Sequence, residues 1–349
     1  MDASVVAGVT GAPGARRVTL SDVAARAGVS RATASLVVRD EGALADATRE
    51  RVRAAMDELG YVYNRGAAAL RASSTQSIGL VVPDVSNDFT AELTVTVENN
   101  VGELVTLIGN SLEDLDRQDA LVRSMLERQV DGMIVLPAVG SADRLAAMLR
   151  ASRVPVIMAT REISDTGLPY VGIDNVLGGR LAADHLLQHG ARRVAYVGGL
   201  EQLRPRRDRV AGARRALARG GAELVADIPG PPRGSWGRDI ARELIAAGEV
   251  PDAIICHNDL VAFGVYRALR ERGLGDPSEL AVVSYDDIAA AELWEPPLTS
   301  VGASGYEVGM RCAEALLRRM AAPNAEPERI LVSPHLAVRE SCGCVAEVP

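Results

Sequence analysis

The chain has 349 residues, 48% of them hydrophobic and 24% charged, with a formal net charge of −8. That length and balance imply two to three globular domains with sizeable cores, and they exclude a disordered, fibrous or disulfide-stapled chain. No apolar run reaches the ~18 residues a membrane span needs, and no continuous apolar stretch follows a basic start, so a cytoplasmic protein is expected.

Residues 1–17 are rich in Gly, Ala and Val, lack periodicity, and read as a disordered tail. A first helix is predicted over 20–27, capped by Thr19 or Ser21 and stopped at Gly28. A second starts from Ser30, whose hydroxyl can cap it, and runs to about residue 38; a third spans 48–59 and ends at Gly60. Two short helices around Gly28-Val29-Ser30 make a helix-turn-helix pattern.

From Ile78 the texture changes. Apolar, β-branched runs at 78–82, 105–108, 133–136, 154–158, 171–173, 194–197, 253–256 and 281–283 alternate with amphipathic stretches at 117–128, 142–151, 178–189 and 260–272. Continuous apolar strands alternating with helices indicate parallel sheets covered on both faces. There are too many strands for one comfortable sheet. The expected fold is therefore α/β, an N-terminal helix-turn-helix head and a core of two doubly wound parallel-sheet subdomains facing across a cleft.

The charge divides the same way. Residues 1–77 hold ten Arg against eight acids, a net +2, whereas residues 78–349 hold 28 Arg against 38 acids, a net −10. A basic head on an acidic body fits a small nucleic-acid-binding module attached to a larger domain with another task.

The motifs in the head carry a resemblance. Val18-Thr19-Leu20-Ser21-Asp22-Val23-Ala24, Ala27-Gly28-Val29-Ser30-Arg31-Ala32-Thr33-Ala34-Ser35, Thr48-Arg49-Glu50-Arg51-Val52 and Glu58-Leu59-Gly60-Tyr61 closely resemble the head of the LacI/GalR repressors. Ile78-Gly79-Leu80-Val81-Val82-Pro83-Asp84 resembles their first core strand, and the likeness is collinear over roughly residues 18–341. It implies a homodimer that reads a pseudo-palindromic operator on double-stranded DNA, and a core like that of periplasmic sugar-binding proteins.

The chemistry of the second helix suits that task. Arg31, Ala32 and Leu36 stand where family members vary their base contacts. Arg31 can grip a guanine through two hydrogen bonds, whereas Ala32 and Leu36 offer only apolar contact, as to a thymine methyl. Thr19, Ser30, Thr33, Ser35, Thr48 and Asn64 complete the DNA-facing set, mainly as phosphate contacts that set register. Residues 65–71 match the family's hinge helix, which folds on the operator and pushes a leucine, here Leu70, into the minor groove. So short a helix is unstable alone, so its ordering is conditional on DNA.

In the core, Arg209, Asn258 and Asp286 fall on family effector positions, the latter two at strand C-terminal ends where open α/β sheets bind ligands. Trp236 is a candidate to stack on a sugar face, and Asp84 and Phe89 follow the first strand. Thr160-Arg161 replaces the usual Asp-Arg, and Gly302-Ala303 replaces a long polar pair, so the pocket is less polar or roomier than a typical hexose site. Asp259 is expected to cap the helix that follows it. The effector is expected to be a sugar or sugar derivative; a nucleoside corepressor and a solute-binding protein without specific DNA binding are the alternatives.

Nothing in the sequence requires catalysis, a cofactor or a metal. His185, His189, His257 and His335 lack a nucleophile at recognisable spacing, and His185 and His189, four apart, read as a solvated helix face. Cys342 and Cys344 flank Gly343 in a tail that reads as incidental, with Cys256 and Cys312 apart from them. The domains are expected at 1–17 (tail), 18–63 (head), 64–77 (hinge) and 78–341 (core), with 342–349 a tail. Within the core, 78–172 and 303–332 are assigned to one subdomain, and 173–302 and 333–341 to the other.

Overall fold

A computed structural model describes residues 18–63, 74–141, 143–163 and 166–344. The expected N-terminal tail and most of the expected hinge, with Asn64 and Leu70, lie outside the described residues. Two compact units divide the chain, Met1–Thr75 and Gln76–Pro349.

The first unit holds three helices, α1 (Leu20–Ala27), α2 (Arg31–Val38) and α3 (Asp46–Leu59). Thr19 caps α1 in a reciprocal box: its hydroxyl accepts from the Asp22 amide, and the Asp22 carboxylate accepts from the Thr19 amide at 2.8 Å. Gly28 stops α1 at φ 67°, a left-handed conformation that costs glycine nothing. Val23, Ala24, Ala27, Ala34, Val37, Val52 and Ala55 form the core, and their small size lets three short helices approach closely. The third helix starts at Asp46, two residues before the expected Thr48. Its N-cap is Ala45, which has no polar side chain to mark the start, whereas Thr48 is the nearest hydroxyl.

The second unit contains two six-stranded sheets. The first is built from β1 (Ser77–Val82), β2 (Val105–Asn110), β3 (Gly132–Val135), β4 (Val156–Ala159), β5 (Tyr170–Ile173) and β11 (Arg329–Val332), in the order β11-β5-β4-β3-β1-β2. Helices α4 (Asp88–Asn100), α5 (Leu115–Glu127), α6 (Asp143–Ser152) and α12 (Gly305–Ala321) accompany it. The second sheet contains β6 (Arg193–Val197), β7 (Glu223–Ile228), β8 (Ala253–Cys256), β9 (Ala281–Tyr285), β10 (Thr299–Gly302) and β12 (His335–Ala337), in the order β12-β10-β9-β8-β6-β7. Its helices are α7 (Asn175–Gln188), α8 (Arg204–Arg219), α9 (Gly234–Ala247), α10 (Asp259–Glu271) and α11 (Ala289–Leu293). All pairings are parallel except β10 with β12.

The chain passes from one sheet to the other three times: between β5 and α7, between β10 and α12, and between β11 and β12. β4 begins only at Val156, after Pro155, which has no N–H for a ladder. The expected strand set lacks β7, β10, β11 and β12. β7 and β11 alternate exposed with half-buried residues along sheet edges and so carry no continuous apolar run.

Candidate nucleic-acid interface and ligand cleft

In the head, Arg31 and Ala32 are exposed on the first turn of α2. Ser30 caps that helix, accepting the Thr33 amide at 3.0 Å, and the two hydroxyls share a hydrogen bond of 2.9 Å. Ser30 and Thr33 thus fix the angle at which the first turn is presented. Arg31 makes no hydrogen bond or ion pair among the described residues, in contrast to Arg39 with Glu41 and Arg49 with Asp40. Its guanidinium is therefore uncommitted. Leu36 is half-buried, and its methyls lie in van der Waals range of where a Cβ on Gly42 would stand, so part of its surface faces the loop after α2. Ser35 and Thr48 are half-buried, and Thr19 is committed to its capping box.

In the second unit Arg209 is the most extensively held of the effector candidates. It lies on α8 and is only 8% exposed. Its Nε donates to Asn175 Oδ1 at 2.8 Å and its Nη1 donates to the His257 carbonyl at 2.8 Å. The guanidinium carbon stands 4.2 Å from the centre of the Tyr285 ring. The helix crossing that places it is unusually close. A Cβ on Gly179 of α7 would sit on the Arg209 carbonyl oxygen, and one on Gly212 of α8 on the Val176 carbonyl oxygen.

Three residues that follow strands adopt positive φ. Thr160 after β4 has φ 58°, and Asp286 and Asp287 after β9 have φ 99° and 50°. Such non-glycine conformations cost of order 1–3 kcal/mol each and cluster at ligand sites. Burial pushes the Asp286 carboxyl up, and the positive charge of Arg209 opposes that rise. His257 is held neutral by burial and then by Arg209, Arg206 and Arg161; its Nδ1 lies 3.0 Å from the Tyr196 hydroxyl.

Asn258, rather than Asp259, caps the helix that follows β8. Asn258 caps α10, with its Oδ1 accepting the Val261 amide at 3.0 Å, and its Nδ2 reaches the Pro232 carbonyl at 3.4 Å. Asp259 is not the cap. Its buried carboxylate accepts from the hydroxyls of Ser284 and Ser300 and from the Ile288 amide at 2.9 Å. Burial, with Asp286 nearby, pushes the Asp259 carboxyl up to about 7. Sequence alone favours Asp259 as a cap because the β9 and β10 serines that surround it are distant in the chain.

The remaining candidates divide. Asp84 accepts from the Ser86 hydroxyl at 2.7 Å, and Phe89 packs on the core of the first sheet. The Trp236 ring covers Gly230, where a Cβ would collide with it, and packs against the second sheet's cluster, so much of its surface serves the core. Arg161 is engaged by Glu113 at 2.8 Å and by the Pro137 carbonyl at 2.9 Å. Glu162, unforeseen from the sequence, joins the two halves: it accepts from Arg204 of α8 at 2.8 Å and from Arg329 of β11 at 3.1 Å. A cavity of about 290 Å³ lined by Ile157, Tyr170, Ala315 and Ile330 contains none of the effector candidates.

Residues 19–64 match the model of the bacterial regulatory proteins of the lacI family, and residues 183–342 that of a periplasmic binding protein-like domain. The HTH-type transcriptional regulator CelR of Thermobifida fusca is 33% identical over 339 residues, spanning 93% of this chain and 98% of that protein. The chain belongs to the LacI family. Two solved structures show the shared architecture. The lac repressor dimer bound to operator and the anti-inducer ONPF has a TM-score of 0.85 at 26% identity, covering 94% of this chain and 99% of that one. The CelR–cellobiose complex has a TM-score of 0.70 at 32% identity, covering 93% and 100%.

This LacI-family chain is therefore a DNA-binding transcriptional regulator with its helix-turn-helix in α1 and α2. No helix among the described residues is long and apolar enough to cross a membrane. Away from the cleft, the fold gathers His185, His189, Cys342 and Cys344, which in the sequence stand as two unrelated pairs. His185 is buried rather than on a solvated face, because α7 lies against β10 and β12.

Proposed function

We propose that the chain is a homodimeric repressor of carbohydrate-utilisation genes, released from a pseudo-palindromic operator by a sugar or sugar derivative bound around Arg209. One observation carries the effector reading. Arg209 is held rigidly by Asn175 and the His257 carbonyl, yet its Nη2 has no protein partner among the described residues. A buried, pre-oriented fork with one amino group free is suited to a hydroxyl-bearing ligand. The CelR–cellobiose complex supports a saccharide class. Thr160 and Gly302-Ala303 favour a less polar ligand than a simple hexose.

The operator reading rests on the uncommitted Arg31 and the interlocked Ser30–Thr33 pair at the start of α2. Self-association is supported by Val95 on α4 and by Val105, Ile108 and Leu112 on and after β2, all exposed apolar side chains. The effector acts by favouring one of two core states, and the hinge residues carry the difference to the heads. Leu70→Ala then weakens specific binding while leaving effector affinity intact; loss of both counts against the hinge role.

The test is selection of DNA from a random duplex pool by the purified protein, repeated with mono- and disaccharides, polyols and nucleosides. Enrichment of a palindrome that one saccharide abolishes supports the proposal. A palindrome enriched only with a nucleoside replaces it with a corepressor-dependent regulator. Tight saccharide binding without any enriched sequence replaces it with a solute-binding protein.

A further inference from the structure

We propose that His185, His189, Cys342 and Cys344 form a tetrahedral site for Zn²⁺ that clips the C-terminal segment onto the end of α7. The site is independent of the operator and effector readings.

The geometry comes from two local motifs brought together by the fold. His185 and His189 lie four residues apart at the end of α7, on one face of the helix, with ring centres 4.7 Å apart. Cys342 and Cys344 flank Gly343, whose φ of 86° suits glycine at the turn between them. Space is short there as well, since a Cβ on Gly343 would fall 3.2 Å from the Pro277 carbonyl oxygen. One potential ligand atom from each of the four side chains lies within 4.8 Å of all the others. Ligand atoms around tetrahedral zinc, with bonds of 2.0–2.3 Å, stand about 3.6 Å apart. Closing the difference requires the four side chains to rotate toward a common centre.

A second observation points into the same place. His185 is 8% exposed, and its Nε2 is buried with no hydrogen-bond partner among the described residues. Leaving a buried ring nitrogen unpaired costs about 1–3 kcal/mol, so its position calls for a partner. The other three ligands are close at hand: Cys344 Sγ is 3.1 Å from His189 Nε2, and Cys342 Sγ receives the Thr299 hydroxyl at 3.1 Å. That hydroxyl supplies the outer hydrogen bond that orients a ligating sulfur. Two thiolates and two neutral imidazoles balance the charge of a divalent ion, so the filled site is neutral and its burial is inexpensive. The softness of the donors and their number favour Zn²⁺ over Mg²⁺ or Ca²⁺, which take oxygen ligands.

The experiment uses the full chain carrying no histidine tag, purified under reducing conditions. Zinc content is measured by mass spectrometry of the digested protein, and the metal-free protein is titrated anaerobically with Co²⁺. His189→Ala and Cys344→Ser are the variants, since both side chains are at least partly exposed and their loss leaves the core intact. The expected result is one zinc per chain in the parent and little in either variant. Co²⁺ should give tetrahedral ligand-field bands with thiolate charge-transfer absorption in the parent alone. Chelator should lower the melting temperature of the parent and leave the variants unmoved. Equal zinc in parent and variants, or an octahedral cobalt spectrum, overturns the proposal. So does a Cys342–Cys344 disulfide in the metal-free parent that persists under the reducing conditions used.

Discussion

Replacing Arg209 by Ala removes the group that ties Asn175, the His257 carbonyl and the Tyr285 ring together. Two hydrogen bonds from a charged donor, each of 2.8 Å, disappear, and so does a guanidinium 4.2 Å from the Tyr285 ring. Hydrogen bonds to charged groups contribute about 1.5–3 kcal/mol each, and a desolvated cation–π contact about 2 kcal/mol. These terms are not additive, because Asp286 can take up a proton once its counter-charge is gone and water can enter the space. A loss of about 4 kcal/mol is expected, or about 8 °C in melting temperature at roughly 2 °C per kcal/mol for a unit of this size. Urea denaturation followed by circular dichroism measures the stability, and operator binding titrated with effector measures the response. Operator affinity at temperatures where the variant is folded should persist, while the effector response is lost. A stability change under about 1 kcal/mol would show that Arg209 does not tie these groups together. Retention of the full effector response would refute its place in the ligand site.

Three further perturbations check other parts of the structure. Gly179→Ala drives a methyl group onto the Arg209 carbonyl across the α7–α8 crossing and should destabilise by about 3 kcal/mol in urea; a loss below about 1 kcal/mol would show that the helices part easily. The Asp259 carboxyl, pushed up to about 7 from 3.8, binds its proton more tightly folded than unfolded. Its stabilising contribution is therefore complete below about pH 4 and is lost as pH rises through 7, at up to about 1.4 kcal/mol per unit. Stability of the parent measured from pH 4.5 to 8 should fall more steeply than that of Asp259→Asn; parallel profiles would contradict the burial of an ionisable acid there. Arg31→Ala should relax base preference at one symmetric pair of operator positions, costing about 1–3 kcal/mol against the preferred base. An unchanged selection profile would place Arg31 on phosphate instead.

The head was legible because its signals are local. Caps at Thr19 and Ser30, the stop at Gly28 and the small apolar face lie within a few residues of the helices they define. The parallel core was legible for a related reason: strands buried on both faces must be apolar along their whole length, as β1, β3 and β4 are. Arg209, Asn258 and Asp286 could be singled out by their family positions, but their roles could not. Whether Asn258 or Asp259 caps α10, and which side chains surround the other, depends on serines from β9 and β10.

By itself, then, the sequence determined the helical head, the alternation of strand and helix, and the family. It did so because hydrophobic period, capping and turn chemistry are properties of neighbours in the chain. Only the tertiary structure decided which strands end together, that Asn175 holds Arg209, that Glu162 joins the two halves, and that His189 meets Cys344 across 155 residues. Those contacts arise from three chain crossings between two sheets, and no local pattern encodes where a crossing brings its ends.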